Sequence, residues 1–416
     1  MRQITTEEGW LPDERGTLDE LAREGARRMI QAALEVEVEQ YVRGLREARD
    51  EKGYALVVRN GRGKPRQVTV GSGTLEIRCP RVNDKREGHR FRSSLLPPYV
   101  RRSPNVRNVL PILYLRGLST GDFEPALKEL LGEASGLSSS SISRLVEAFH
   151  EDYRRFRERD LSEKDYVYIW ADGVHFNVRL EEDRLAVLVI VGVTVDGRKE
   201  VIAIEDGYRE STESWLLVLR DLKRRGLKSP RLAVADGALG FWKALVEIYP
   251  EAERQNCWVH KIANVLDKLP KRLQPRAKQQ LHEIMNAPTR EAAEEEKEKF
   301  LEDYGAKYPK AAQSLETAWE YLMTLYHYPA EHWIHLRSTN PIESTFSTVK
   351  LRTRVTRGAG CRRAGLAMAF KLMEMAEQSW RAVNAPHLVR LVREGRIFSD
   401  GTLVEEKKKK LKRVAA

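Results

Sequence analysis

Between Tyr166 and Trp258 the chain carries five short apolar runs in an order that few folds accept: three joined by brief turns, then two each reached through a helical stretch. The runs are Tyr166 to Ala171, Leu185 to Val195, Glu200 to Glu205, Leu232 to Ala235 and Gln255 to Trp258, rich in the Val, Ile, Tyr and Trp that suit buried strands. The helical stretches are Thr212 to Arg225 and Leu239 to Ile248. Short turns join antiparallel neighbours, whereas a helix between strands is the usual crossover of a parallel pair. The order therefore predicts a mixed sheet with helices on its faces.

That succession is the ribonuclease H-like one, and it sets the expected fold class: multidomain α+β, a ribonuclease H-like core at 161–262 and 331–395, split by a large all-helical insertion at 263–330. Upstream, 1–50 carries helical spacing from Leu18 to Leu45 (Leu18, Ala22, Met29, Ile30, Leu34, Val38, Tyr41) and is a candidate dimerisation element. From Gly53 to Leu115 thirteen Lys or Arg stand against three acids, in short alternating segments broken by Gly-Ser-Gly and Cys-Pro. Residues 51–100 therefore read as a basic β module, with Arg59, Arg62, Lys64 and Arg66 as candidate DNA contacts. Three helices are expected in 101–160: VRNVLPILYLRGLS, FEPALKELL and a last one opened by Ser138 to Ser141. This pattern fits a helix-turn-helix, with Ser140, Ser141, Ser143 and Arg144 toward the major groove, and equally an ordinary three-helix bundle. Residues 396–416 read as a basic tail.

Three carboxylates stand out. Asp172 and Asp236 each follow a strand run and precede glycine, which places both at the carboxyl edge of the sheet, and Glu343 falls in RSTNPIES at a helix entry with Asn340 as N-cap and Pro341 at N1. Two-metal phosphoryl transfer needs acidic ligands holding two ions about 3.5–4 Å apart. Each residue also has a plain local reading. Asp-Gly is a common turn, found again at Asp196-Gly197 and Asp206-Gly207, and Asn340-x-x-Glu343 is a capping box.

Four motifs in order, WADGVHF around Asp172, VADGALGFWKAL around Asp236, Cys257-x-x-His260 in QNCWVHK and RSTNPIES around Glu343, resemble the Mutator-type transposases of bacterial insertion sequences. The similarity extends to RNGR at Arg59 and LRGLST at Leu115. The resemblance implies a DDE transposase in which Asp172, Asp236 and Glu343 hold Mg²⁺, or Mn²⁺ in its place. It would hydrolyse the transposon end and then transfer the freed 3′-OH. Terminal repeats and target duplex would be the partners, and two ends to synapse imply a homodimer. A structure-specific nuclease on the same fold, or a DNA-binding regulator with a dead core, shares most of these features.

Several further expectations follow from the residues. A net charge of +11 favours an anionic partner. No phosphate-binding loop is present, so no nucleotide cofactor is expected. MRQITTEEGW lacks an apolar signal core and no run is long enough for a membrane helix, which leads to an expected cytoplasmic, nucleoid-associated location. Cys79, Cys257 and Cys361 are too scattered for a disulfide framework. Cys257-x-x-His260 has zinc-like spacing, but no second ligand pair lies nearby, so zinc is not expected; Cys257 reads as a buried strand residue and His260 as a neighbour of the carboxylates. Arg337 is a candidate phosphate contact beside the active site, and Asn340 would fix the Glu343 helix. Lys350, Arg352, Arg354 and Arg357 would track the DNA backbone. Trp333 suits either a stacked base or the core.

Overall fold

The computed structural model describes residues 17–116, 139–176, 185–207, 211–237, 240–355 and 361–404, in two compact units, Met1–Leu145 and Val146–Ala416. In the first unit helix α1 (Leu18–Gly44) opens with a reciprocal cap: the Glu20 amide donates to Thr17 Oγ1 at 3.3 Å and the Thr17 amide to Glu20 Oε2 at 2.8 Å. Strand β1 (Val57–Arg62) pairs antiparallel with β4 (Pro80–Asp84), and β2 (Arg66–Val70) forms a hairpin with β3 (Gly73–Ile77). Leu34 of α1 joins Val68, Leu75, Ile77 and Leu96 in one buried cluster, with Ala26 and Ile30 against it. The helix and the β module thus share a core. Leu18 and Met29, expected on the packed face, are 80% and 69% exposed. At 3.6 residues per turn Ala26, Ile30 and Leu34 align, while Met29 falls about 100° away from Ile30. Helix α2 (Pro104–Arg116) follows. The expected middle helix FEPALKELL lies outside the described residues.

Helix α3 (Ser139–Glu158) leads into the second unit, built on a five-stranded sheet. Its strands are β5 (Tyr166–Phe176), β6 (Leu185–Thr194), β7 (Lys199–Gly207), β8 (Leu232–Ala235) and β9 (Glu253–Asn256), in the order β7-β6-β5-β8-β9. β6 runs antiparallel to β5 and β7, and β8 and β9 are parallel to β5 and to each other. This is the mixed sheet the run order predicts. On one face α4 (Thr212–Arg224) and α5 (Phe241–Ile248) bury Trp215, Leu219, Phe241 and Leu245 against Ile169, Ala171 and Ala233. On the other, α12 (Asn340–Val355) packs on β5 and β6 with Ile342, Phe346 and Val349 fully buried, and α13 (Arg362–Glu377) packs on β7. The outer edge of β7 is bonded by side chains: Tyr153 donates to the Ile204 carbonyl at 2.7 Å, Arg159 to the Val201 carbonyl, and the Val201 amide to Glu377 at 3.1 Å.

Two boundaries differ from expectation for local reasons. β5 does not stop at Ala171, because β6 keeps pairing with it through Asp172↔Val189 to Phe176↔Leu185. The last strand ends at Asn256 rather than Trp258: the Cys257 amide bonds the Ala235 carbonyl at 2.9 Å, and Trp258 opens helix α6 (Trp258–Leu266). Cys257 is buried, but as the N-cap of α6 and not as a strand residue.

Helices α7 (Gln274–Met285), α8 (Arg290–Tyr304), α9 (Pro309–Glu316) and α10 (Trp319–Met323) make up the helical segment before α11 (Trp333–Leu336). Past α14 (His387–Arg393), β10 (Phe398–Ser399) and β11 (Thr402–Leu403) form a hairpin around Asp400 and Gly401, both at positive φ. Its Gly401 carbonyl accepts from the Ala330 amide at 3.1 Å, so ordered structure continues past 396, where the tail was expected to begin. The charged block from 405 lies outside the described residues. No described helix is long and apolar enough to cross a membrane.

Candidate active site at the carboxyl ends of the parallel strands

Ala171 of β5 faces Ala235 of β8 in the last paired rung, and the next residues are Asp172 and Asp236. The two aspartates therefore project from adjacent strands, about 4.8 Å apart at the backbone. Asp172 is 7% exposed and its Oδ1 accepts the Gly173 amide at 2.9 Å. It is the end of a strand only toward β8; toward β6 it is mid-strand, so Asp172-Gly173 is not a turn. Side chains alternate along a strand, so Asp172 shares a face with Trp170 and Tyr168. Trp170 donates its indole N–H to the His335 carbonyl at 3.0 Å, and the Tyr168 hydroxyl meets His332 Nδ1 at 2.8 Å. That face is the one the segment leading to Glu343 crosses.

Glu343 sits in the first turn of α12, but its cap is not the expected one. The helix begins at Asn340, and the Thr339 carbonyl accepts the Glu343 amide at 3.2 Å, which makes Thr339 the N-cap. The Thr339 hydroxyl donates to Glu343 Oε1 at 2.9 Å. Asn340 is exposed, and its carbonyl accepts the Ser344 hydroxyl at 2.7 Å. The Glu343 carboxylate is thereby held by a threonine and not returned to a cap amide.

α6 closes the cluster. Its Trp258 amide donates to the Arg337 carbonyl at 2.8 Å and the Thr339 amide approaches Cys257 Sγ at 3.4 Å, tying the start of α6 to the residues before Glu343. His260 Nε2 lies 3.7 Å from Glu343 Oε1. Its imidazole is raised to about 9 by the Cys257 thiol first, against the opposing effect of burial, and then by the Asp236 and Asp172 carboxylates. His260 thus lies against Glu343 and within the field of Asp172 and Asp236, residues contributed by strands and helices far apart in sequence.

The basic candidates are placed differently. The Arg337 guanidinium donates to Asn286 Oδ1 at 3.0 Å and lies 5.9 Å from the Trp333 ring centre, directed into the helical segment. Trp333 itself is core, 6% exposed, its indole N–H on the Tyr328 carbonyl at 2.9 Å. Arg59 and Arg62 both pair with Glu35 of α1, Arg62 at 3.0 Å, and Arg66 donates to the Val100 carbonyl at 2.6 Å. Lys64, Arg144 and Lys350 are exposed. Ser140, Ser141 and Ser143 fall on the first turns of α3, and Arg352 and Arg354 on α12. Arg357 lies outside the described residues. One feature the residues alone did not suggest is Arg254, whose guanidinium stacks between Trp242 (4.4 Å) and Tyr321 (4.1 Å) while its Nε donates to Asn256 at 2.9 Å.

The fold and the site define a two-unit α+β protein with an acidic cluster at the parallel edge of a mixed sheet. Its sequence matches the family described as Transposase, Mutator family over residues 4–382, and the chain belongs to that family. It is 56% identical over 300 residues to the transposase for insertion sequence element IS6120 of Mycolicibacterium smegmatis, covering 72% of this chain and 93% of the relative. It is 44% identical over 280 residues to that for IST2 of Acidithiobacillus ferrooxidans (67% and 95%), and 31% identical over 372 residues to that for ISRM5 of Rhizobium meliloti (88% and 91%).

Proposed function

We propose that this transposase is a DDE enzyme: it cleaves DNA at the ends of its element and joins the released 3′-OH to target DNA, with Asp172, Asp236 and Glu343 as its acidic triad. The observation that carries this reading is the placement of Asp172 and Asp236 side by side, just past the same rung of neighbouring parallel strands, with His260 in the field of both and 3.7 Å from Glu343. The strand order, third-second-first-fourth-fifth along the chain, supports a ribonuclease H-like core. Hard oxygen donors with room on the solvent side of Asp236 and Glu343 suit Mg²⁺, or Mn²⁺ in its place. Such ions, when bound, would stabilise charge on the attacking and leaving oxygens.

The chain's own part is positional. β5 and β8 fix the two aspartates through the main chain, and α12 delivers Glu343 from a face locked by Ile342, Phe346 and Val349. Terminal repeats would be bound by the basic first unit and α3, with Lys350 and the arginines of α12 neutralising phosphates near the scissile bond. Two ends joined in one event suit a homodimer.

The test is Asp172→Asn in a labelled transposon-end duplex with Mg²⁺. Loss of a carboxylate that holds the ion is expected to abolish cleavage and joining, a larger effect than the about 10–100-fold typical of outer partners, while end binding stays near wild type. Wild-type cleavage by this variant would overturn the assignment. Nicked products that never join to target would favour a nuclease over a transposase route.

A further inference from the structure

Cys257 and His260 occupy the N-cap and third positions of α6, the two places whose side chains face each other across a helix entry. The sequence offers them no third partner, but the fold does. One donor atom each from Cys257, His260 and Glu343 lies within 4.8 Å of the others. We propose that these three residues form a site for a thiophilic divalent ion, Zn²⁺ or Cd²⁺, which shares Glu343 with the hard-ion site of the carboxylates.

The donor set is the first reason. Sulfur and imidazole select soft or borderline ions, whereas Mg²⁺ takes oxygen in octahedral geometry. Three protein ligands with one open position is a common arrangement for zinc. Geometry is the second. With metal bonds of about 2.0–2.3 Å, tetrahedral ligand atoms stand roughly 3.3–3.7 Å apart. The 3.7 Å between His260 and Glu343 already meets that spacing. The Cys257 sulfur is fixed, 1% exposed at the helix start, while His260 and Glu343 side chains are 32% and 37% exposed and close the remaining gap from the solvent side. His260 Nδ1 is buried with no hydrogen-bond partner among the described residues. Thr339 supports the set from behind, its amide on Cys257 Sγ and its hydroxyl on Glu343 Oε1.

Binding at this site exchanges solvent ligands for protein ones and releases two protons to water, one from the Cys257 thiol and one from the His260 imidazolium. It also holds Glu343 toward α6 and away from Asp172 and Asp236. On the triad reading of the preceding section, the ion is therefore an inhibitor that competes for one carboxylate.

The experiment is a Cd²⁺ titration of the full chain in excess Mg²⁺, followed by the ultraviolet charge-transfer band of a cadmium–thiolate bond and, in parallel, by end cleavage. The wild-type protein is expected to take up one equivalent with the band. Cys257→Ser should lose it, Cys79→Ser and Cys361→Ser should keep it, and His260→Gln and Glu343→Gln should weaken affinity at least about tenfold. Cleavage by the wild type should fall as the band grows, while Cys257→Ser, measured against its own Mg²⁺ rate, should resist Cd²⁺. Persistence of the band in a folded Cys257→Ser protein, or wild-type affinity in both His260→Gln and Glu343→Gln, overturns the site. Asp172→Asn separates the two ideas. A normal band with active cleavage by that variant sinks the triad alone, whereas no band with dead cleavage sinks the thiophilic site alone.

Discussion

Replacing Thr339 by valine keeps the β-branched shape at a fully buried position and removes one hydroxyl, the donor to Glu343 Oε1 at 2.9 Å. A hydrogen bond to a charged group contributes about 1.5–3 kcal/mol when buried. Here the carboxylate is 37% exposed and water replaces part of the lost bond, so the expected loss is about 1 kcal/mol, or about 2–4 °C in Tm for a unit of this size. The effect on chemistry should be larger than the effect on stability. Without its threonine, Glu343 samples rotamers that miss the site, and loss of a ligand's orienting partner costs about 10–100-fold in metal affinity or activity. The assay is end cleavage across a Mg²⁺ series: Thr339→Val should shift the midpoint upward by about tenfold, and Thr339→Ser should restore it. An unchanged midpoint in Thr339→Val, with the usual small drop in Tm, would show that the hydroxyl does not position the glutamate.

Gly192 of β6 has no room for a side chain, since a Cβ there would stand 2.4 Å from Ile202 Cδ1 and 2.7 Å from Tyr166 Cδ1; Gly192→Ala should cost about 1–3 kcal/mol in urea unfolding. Burial first, and Lys199 nearby, hold His335 down to about 4, so the fold favours its neutral form. An unfolded histidine takes up its proton near 6.5 and the folded one only near 4. Stability should therefore be full above pH 6.5 and fall by up to about 3 kcal/mol toward pH 4, and His335→Gln should flatten that part of the profile. Glu35→Gln frees Arg59 and Arg62 from their shared carboxylate; if the first unit binds duplex through them, affinity should rise and the salt dependence steepen, as a filter-binding series would read.

The sequence carried the sheet because its signals are local: apolar runs and the lengths between them fix which strands are antiparallel neighbours and which are reached by crossover. It carried Asp172 and Asp236 for the same reason, since both follow the rung that pairs Ala171 with Ala235. The end of β5 was not legible, because pairing with β6 overrides the local turn grammar of Asp-Gly. Nor was the Glu343 cap, which is decided by one residue's shift in the helix start and by a threonine that also touches Cys257. The Cys257–His260–Glu343 grouping depends on α6 and α12 being tied at Arg337, a contact between segments far apart in the chain. Arg59 and Arg62 look like free cations in sequence; only packing of α1 on the β module brings Glu35 to them.

An unpaired strand edge is a template on which another chain can add itself, and proteins that work while crowded along DNA meet that hazard often. At β7 the template is defaced. The Val201 and Ile204 carbonyls and the Val201 amide already have partners in Arg159, Tyr153 and Glu377, so an incoming strand would have to displace these side chains to pair along the middle of β7. Assembly of this protein with itself is thereby steered away from sheet extension at β7, toward contacts that helices and loops can make and break.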